Sequence, residues 1–421
     1  MSEINSAYMN VSKKDMVRAL VLSTTAFTFC FSVWTIFSII GIRIKYEIGL
    51  NDTQFGFLVA TPILTGSLCR LFLGIWTDLY GGRIIFTILM LFSSLSLYFL
   101  TYANDYYQCI IAALGIGFAG GGFAVGIAYV SRWYPKNLQG TALGIFGMGN
   151  FGATITNFGA PFLLFLGWHG VAKVYSILFC IIAILFYIFS KEDPYTQHRR
   201  LHGGSKSGFL EQLKPLKNMQ VWRFSFYYFF VFGAFVALAL WLPRYYIGVY
   251  GVDIKTAGML TAFYSFPGSV FRALGGVLSD TMGARKVMYI TYIGSLVCLF
   301  FMSYPATNYI IQGVSGDIVF SFKLTVIPFT ILSFLLGFFM SLGKAAVYKH
   351  IPVYYPDNVG SVGGIVGLIG GLGGFCCPII FGLLNDVLGI WTSCFMLLFL
   401  ITLISLFWMY QSISSIDKNK Q

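Results

Sequence analysis

Residues 66–83 read Gly66-Ser-Leu-Cys-Arg70-Leu-Phe-Leu-Gly74-Ile-Trp-Thr-Asp78-Leu-Tyr-Gly81-Gly-Arg83, and residues 268–285 read Gly268-Ser-Val-Phe-Arg272-Ala-Leu-Gly-Gly276-Val-Leu-Ser-Asp280-Thr-Met-Gly283-Ala-Arg285. Seven of the 18 positions are identical at a constant offset of 202 residues. Each stretch ends a long apolar run and finishes in a polar, glycine-containing loop. An internal match of this kind identifies two copies of one architectural unit within a single chain.

The surrounding composition says what that unit is made of. Of 421 residues, 57% are hydrophobic, 18% aromatic and 10% charged. A soluble domain carries about 25% charged residues, so this chain cannot cover a water-facing globule of its length. Its apolar runs are continuous over 18 or more residues, whereas barrel strands alternate over about 10, so the spans are helices. Apolar runs between breakers fall at 18–40, 53–78, 84–103, 108–131, 138–165, 171–190, 222–247, 256–281, 286–303, 325–350, 359–386 and 390–411. The expected fold is all-α and integral to the membrane, with twelve transmembrane helices in two pseudo-symmetric six-helix halves.

Charge sets the orientation. Alternate connecting segments, starting with the N-terminal one, hold 17 Lys and Arg, and the segments on the opposite side hold six: Arg43, Lys45, Lys173, Arg244, Lys255 and Lys323. The positive-inside rule places both termini in the cytoplasm of a multi-pass inner (plasma) membrane protein. The net charge of +12 is then a topology signal, and no nucleic-acid partner is expected. Met1–Val17 is polar and runs into a span longer than a signal h-region, which reads as a retained first helix. Lys191–Val221 is rich in Glu, Asp, Pro, His, Gly and Ser. It divides the chain into an N-terminal half (1–190), a cytoplasmic linker (191–221) and a C-terminal half (222–421).

Two charges lie where charge is expensive. Arg70 is 13 residues before Arg83 and 18 after Asp52, hence about 20 Å and about 27 Å along the helix from its two ends. Arg272 occupies the matching position of the repeat. An intramembrane arginine costs at least about 2.5–3.5 kcal/mol on insertion scales and normally has a partner. All 15 acidic residues fall at span ends, in loops or in tails, so no carboxylate neutralises the pair. The missing counter-ion is then the transported solute, a small anion held between two guanidinium forks. Arginines that snorkel or bond to helix carbonyls are the competing explanation. Two facing cations resist closing without an anion between them, which favours exchange of one anion for another.

Lys344, in the tenth span about 18 Å from its end, either enters the cavity and serves in coupling or gating, or sits in a hydrated gate with Lys349 and His350. The eight cysteines and four histidines show no metal-ligand spacing. Neither a metal nor another cofactor is expected, and no enzymatic nucleophile–base pair stands out.

The G-x-x-x-D-x-x-G-x-R loops, with the twelve-span layout, resemble the signature loops of the major facilitator superfamily. That resemblance implies structural or gating roles for Asp78, Arg83, Asp280 and Arg285, with the aspartates set against neighbouring helix ends. A closer resemblance rests on Gly120-Gly121-Gly122-Phe123, Tyr134-Pro135, the run Gly140-Thr-Ala-Leu-Gly144-Ile-Phe-Gly147-Met-Gly149-Asn150-Phe-Gly152, the run Gly360–Gly374 with Gly364 and Gly367, and the two arginines. Together these are similar to the nitrate/nitrite porter family. By that resemblance Arg70 and Arg272 clamp the anion, Phe123, Tyr228 and Phe232 wall it in, and Asn150 adds a polar contact. Gly144, Gly147, Gly364 and Gly367 let helices approach or slide.

The expectation is an alternating-access carrier, monomeric in the lipid bilayer, that takes up nitrate in exchange for nitrite. The alternatives are a proton-coupled nitrate symporter, an exchanger of small organic anions such as formate or oxalate, and a non-transporting anion sensor.

Overall fold

The computed structural model describes residues 12–194, 196–197, 217–355 and 359–418. The first part of the chain forms α1 (Lys13–Trp34), α2 (Phe37–Ile48), α3 (Asp52–Tyr80), α4 (Gly82–Leu100), α5 (Tyr106–Ile116), α6 (Gly122–Ser131), α7 (Lys136–Gly147), α8 (Gly152–Leu163) and α9 (Gly167–Phe189). The second part forms α10 (Met219–Tyr228), α11 (Phe235–Tyr250), α12 (Ile254–Val270), α13 (Arg272–Leu278) and α14 (Ala284–Ser303). It continues with the strands β1 (Thr307–Gly313) and β2 (Gly316–Phe322), then α15 (Val326–Tyr354), α16 (Val359–Leu388) and α17 (Ser393–Lys418). Residues 198–216 of the expected linker lie outside the described residues. Its first residues pack on the helices: Asp193 is buried, 3.8 Å from Arg132, and the Lys191 carbonyl accepts from the Tyr129 hydroxyl.

Ten stretches among the described residues are long and apolar enough to cross a membrane. Two of them, Thr141–Phe189 and Ile254–Ser303, run for 49 and 50 residues, far more than the roughly 20 that one crossing needs. Each turns at a glycine of positive φ, Gly167 (70°) and Gly283 (87°). Divided there, they supply the two further crossings of the sequence reading. The first span is longer than expected, because α1 and α2 continue as one apolar rod of 36 residues jointed at Thr35 and Ile36.

Local chemistry sets several boundaries. Asn51 caps α3, its Oδ1 accepting from the Gln54 N–H at 2.7 Å while the Gln54 side chain accepts from the Asn51 N–H at 3.1 Å, a capping box. Asp253 caps α12 through the Thr256 N–H at 2.7 Å, and that bond holds its carboxyl below the usual carboxylate range. The repeat seen in sequence is also a repeat of backbone shape. Gly81 (φ 93°, ψ 148°) and Gly283 (φ 87°, ψ 137°) turn the chain in the same way after the matched helices, a conformation that a residue with a Cβ adopts only under strain.

Between α14 and α15 lies the hairpin β1–β2. It pairs antiparallel from Thr307↔Phe322 to Gly313↔Gly316 and is exposed along most of its length. Seven-residue strands of mixed polarity give no apolar run, which is why a search for spans passes over them.

The face opposite the ends of α1 and α17 is sealed. A Cβ on Gly56 would lie 2.4 Å from the Pro378 carbonyl oxygen, and one on Gly382 would lie 2.2 Å from that of Asp52, so α3 and α16 meet backbone to backbone. Charges lock the seam. Asp52 Oδ1 sits 2.8 Å from Lys45 Nζ and 3.3 Å from Arg244 Nε, and Asn385 donates to its other oxygen. Asp386 accepts from the Asp52 and Thr53 N–H groups at 3.1 and 2.7 Å, placing a carboxylate at the positive end of α3 from across the interface.

Two outcomes follow from this geometry. Gly283→Ala should cost at least about 1 kcal/mol while Gly276→Ala, helical and with open space around its Cβ position, should not, as read from thermal unfolding of the purified protein in detergent. Asp52→Ala leaves Lys45 and Arg244 facing each other without their shared carboxylate. In a cysteine-free background carrying Ile63→Cys, maleimide labelling should then rise by about threefold or more; an unchanged rate would show that the charges do not hold the seam.

Candidate functional site at the arginine pair

Both mid-span arginines are buried, with 6% of Arg70 and 8% of Arg272 exposed. Among the described residues no acidic side chain forms an ion pair with either. What surrounds them is a set of carbonyls and rings. Arg70 Nε donates to the Gly120 carbonyl at 3.3 Å and Nη1 to the Gly367 carbonyl at 2.9 Å. Its guanidinium carbon lies 5.5 Å from the ring centroids of Trp34, Phe123 and Phe232. The Arg272 guanidinium carbon lies 5.6 Å from the same Phe123 ring and 5.8 Å from Tyr348. The two cations therefore share the Phe123 ring, an arrangement that stabilises them partially through the ring quadrupole.

Carbonyl bonding, the competing explanation for a lone arginine, thus holds for Arg70. It does not extend to its partner. Arg272 Nη1 is buried without a well-formed hydrogen bond, as are the Tyr228 hydroxyl and the Ser67 hydroxyl one turn before Arg70. A buried donor left unsatisfied costs about 1–3 kcal/mol, more when it is charged. Several such polar groups thus lie together beside the two arginines.

The walls come from several helices. Phe123 lies in the first turn of α6, and a π-turn at Phe229–Ala234 follows Tyr228 and carries Phe232. Tyr228 and Phe232 stack at 5.0 Å, and Tyr228 meets Tyr348 edge-on at 5.0 Å. Gly147 brings α7 onto the site, its Cβ position 3.3 Å from the Arg272 guanidinium carbon. Gly367 does the same for α16 through its carbonyl. Gly144 and Gly364 behave differently: both have open space around their Cβ positions, although each lies one turn from Gly147 or Gly367 on the same helix face. That space lies toward the chain-end side of the site, away from the close α3–α16 contacts at Gly56 and Gly382.

Of the residues expected at the site, Arg70, Arg272, Phe123, Tyr228 and Phe232 come together. Asn150 is fully buried with both amide atoms unpartnered, yet no described hydrogen bond joins it to the arginines. Lys344 is also fully buried, its Nζ donating to the Gly268 carbonyl at 2.8 Å. The hydrated gate shared with Lys349 and His350 is therefore incorrect for it: the lysine side chain points into the packed interior, while Lys349 pairs with Asp280 at the surface. Asp280 accordingly faces a lysine of α15 where a helix end was expected. Arg285 donates to the Tyr354 hydroxyl at 2.9 Å and Arg83 to the Tyr187 carbonyl at 2.7 Å. The Asp78 side chain lies outside the described residues. Trp34 and Tyr348 were not anticipated. Tyr348 follows Lys344 by four residues, a helical spacing that marks a shared face; Trp34 carries no comparable signal. No group of three His, Cys, Asp or Glu among the described residues is placed to hold a metal ion.

The profile of the Major Facilitator Superfamily matches residues 22–326 and 255–420. The chain is 41% identical to the probable nitrate/nitrite antiporter NarK1 of Thermus thermophilus, an alignment covering 97% of this chain and 94% of that one. It is 28% identical to the nitrite extrusion protein of Bacillus subtilis strain 168, over 90% and 91% of the two chains. It is 29% identical to the probable nitrate transporter NarT of Staphylococcus aureus strain Newman, over 93% and 94%. Among solved structures, a bacterial homologue of the human lysosomal transporter Spinster, in an inward-facing and occupied conformation, superposes with a TM-score of 0.70 at 15% identity, covering 96% of this chain and 98% of that one. Its inward-facing, unoccupied counterpart gives 0.67 at 18% identity, over 89% and 84%. With its repeat, its helical fold and these relatives, the chain belongs to the Major Facilitator Superfamily and, within it, to the nitrate/nitrite porter family.

Proposed function

We propose that this protein exchanges nitrate for nitrite across the membrane by alternating access. The observation that carries the reading is the pair of buried arginines that share the Phe123 ring and have no acidic partner among the described residues. A planar oxyanion fits between guanidinium forks, accepts from the open Arg272 Nη1 and the Tyr228 hydroxyl, and leaves its faces to the aromatic walls. The names of the nitrate/nitrite relatives support the choice of anion.

Exchange follows from electrostatics. With the anion gone, closing the gap beside Gly144 and Gly364 would desolvate two like charges in a low-dielectric interior; with an anion bound the cluster is partly neutralised. Only the loaded carrier crosses readily. The site then performs transport and no covalent chemistry. On this reading Arg70 and Arg272 are the clamp, Phe123, Tyr228 and Phe232 are specificity walls, and Asp280 with Arg83 and Arg285 shapes the loops that move. The Lys and Arg bias supports an arrangement with the open side and both termini facing the cytoplasm of an inner membrane. The 1–190 and 222–421 halves move about the site within a single monomer, joined by the 191–221 linker.

Counterflow in proteoliposomes tests the reading. Labelled nitrate should enter vesicles preloaded with nitrite and should not enter empty ones at fixed pH; uptake into empty vesicles driven by an imposed proton gradient would overturn exchange. Arg70→Lys and Arg272→Lys should each lower counterflow by at least about tenfold although charge is kept, because an ammonium does not reproduce the planar fork. Near-normal flux in both variants would remove the clamp.

A further inference from the structure

We infer that Lys344 is a positioning residue for Arg272, acting through the break in the helix that carries it; the inference rests on the anion-exchange reading. The two arginines occupy matching positions of the repeat, yet their backbones differ. Arg70 lies within α3, which runs from Asp52 to Tyr80 without interruption. Arg272 starts α13 immediately after α12 has stopped, with Phe271 (φ −73°, ψ 3°) as the joint. The described backbone bonds at the joint run from the Phe271 N–H to the Pro267 carbonyl at 3.2 Å and from the Gly275 N–H to the Phe271 carbonyl at 3.0 Å.

Between these lies the carbonyl of Gly268, the one that would receive the Arg272 N–H in an uninterrupted helix. Lys344 Nζ reaches it from α15 at 2.8 Å. The same amine lies 3.0 Å from the Phe235 ring centroid and 6.0 Å from that of Phe232. A Cβ at residue 268 would fall 2.0 Å from the Phe235 ring, so glycine, phenylalanine and lysine fit one slot. Carbonyl and ring both engage the amine, while the donor left open nearby belongs to Arg272. A lysine placed in a membrane interior at such cost and engaged with a helix joint acts as a brace. It pins the end of α12, and the guanidinium that begins the next segment is aimed as a result.

The brace needs a donor and does not need a charge, which separates it from direct attraction of the anion. Nitrate affinity of the purified full-length protein, measured by titration calorimetry, should weaken about tenfold in Lys344→Met, which keeps length and removes the donor. It should stay within about threefold of the parent in Lys344→Gln, which keeps a donor without charge. Equal loss in both variants would overturn the brace in favour of a charge acting on the anion, and parental affinity in Lys344→Met would overturn it in favour of simple packing. Should Lys344→Met fail to fold, Lys344→Gln decides alone, with retained affinity supporting the brace and lost affinity overturning it. Absence of nitrate binding by the parent itself would instead strike at the anion-exchange reading.

Discussion

Two guanidinium groups held in a low-dielectric interior, with no acidic partner among the described residues, are the constraint on which the rest of the molecule depends. Burial of such groups is tolerated only where something else supplies negative potential. Here the supply comes from carbonyl dipoles at Gly120 and Gly367, from the faces of Trp34, Phe123, Phe232 and Tyr348, and, on the proposed reading, from a solute that is present only part of the time. The remaining features serve that arrangement. Glycines bring backbone carbonyls and helix faces close enough to touch the arginines, and a π-turn after Tyr228 presents Tyr228 and Phe232 together.

The symmetry of the repeat is kept where the chain turns and lost at the arginines. Gly81 and Gly283 adopt the same unusual backbone conformation, so the matched loops have matched shapes. At the arginines the halves part company. Arg70 is carried on a continuous helix and bonded across the interface to Gly367, whereas Arg272 follows a joint and its buried Nη1 makes no well-formed hydrogen bond. One cation is thus fixed and helps to join the halves. A site of two identical arms would lack that division of labour.

Much of this was legible in the sequence because it is written in local or periodic signals. Continuous apolar runs mark the helices, a constant offset marks the repeat, and the inventory of acids finds no mid-span carboxylate to set against Arg70 and Arg272. Other features depend on what the fold brings together from far along the chain. Trp34 reaches the site from the joint between α1 and α2, with no spacing to betray it. Lys344 could be seen as misplaced, but its carbonyl partner lies 76 residues away, so a sequence alone left it between a gate and a cavity. The lock at Asp52 was hidden for the same reason: an aspartate at a span end looks like an ordinary boundary until Arg244, Asn385 and Asp386 arrive from the second half.

Asp386 gives that lock a property beyond closure. Its carboxylate completes the N-terminus of α3, a helix rooted in the other half, so parting the seam strips a helix of an anion as well as breaking ion pairs. Water and dissolved ions can take over those interactions once the face opens. The conformational balance of the carrier is therefore coupled to the ionic strength of the medium bathing that face, and a dilute environment holds the seam shut more firmly than a salty one.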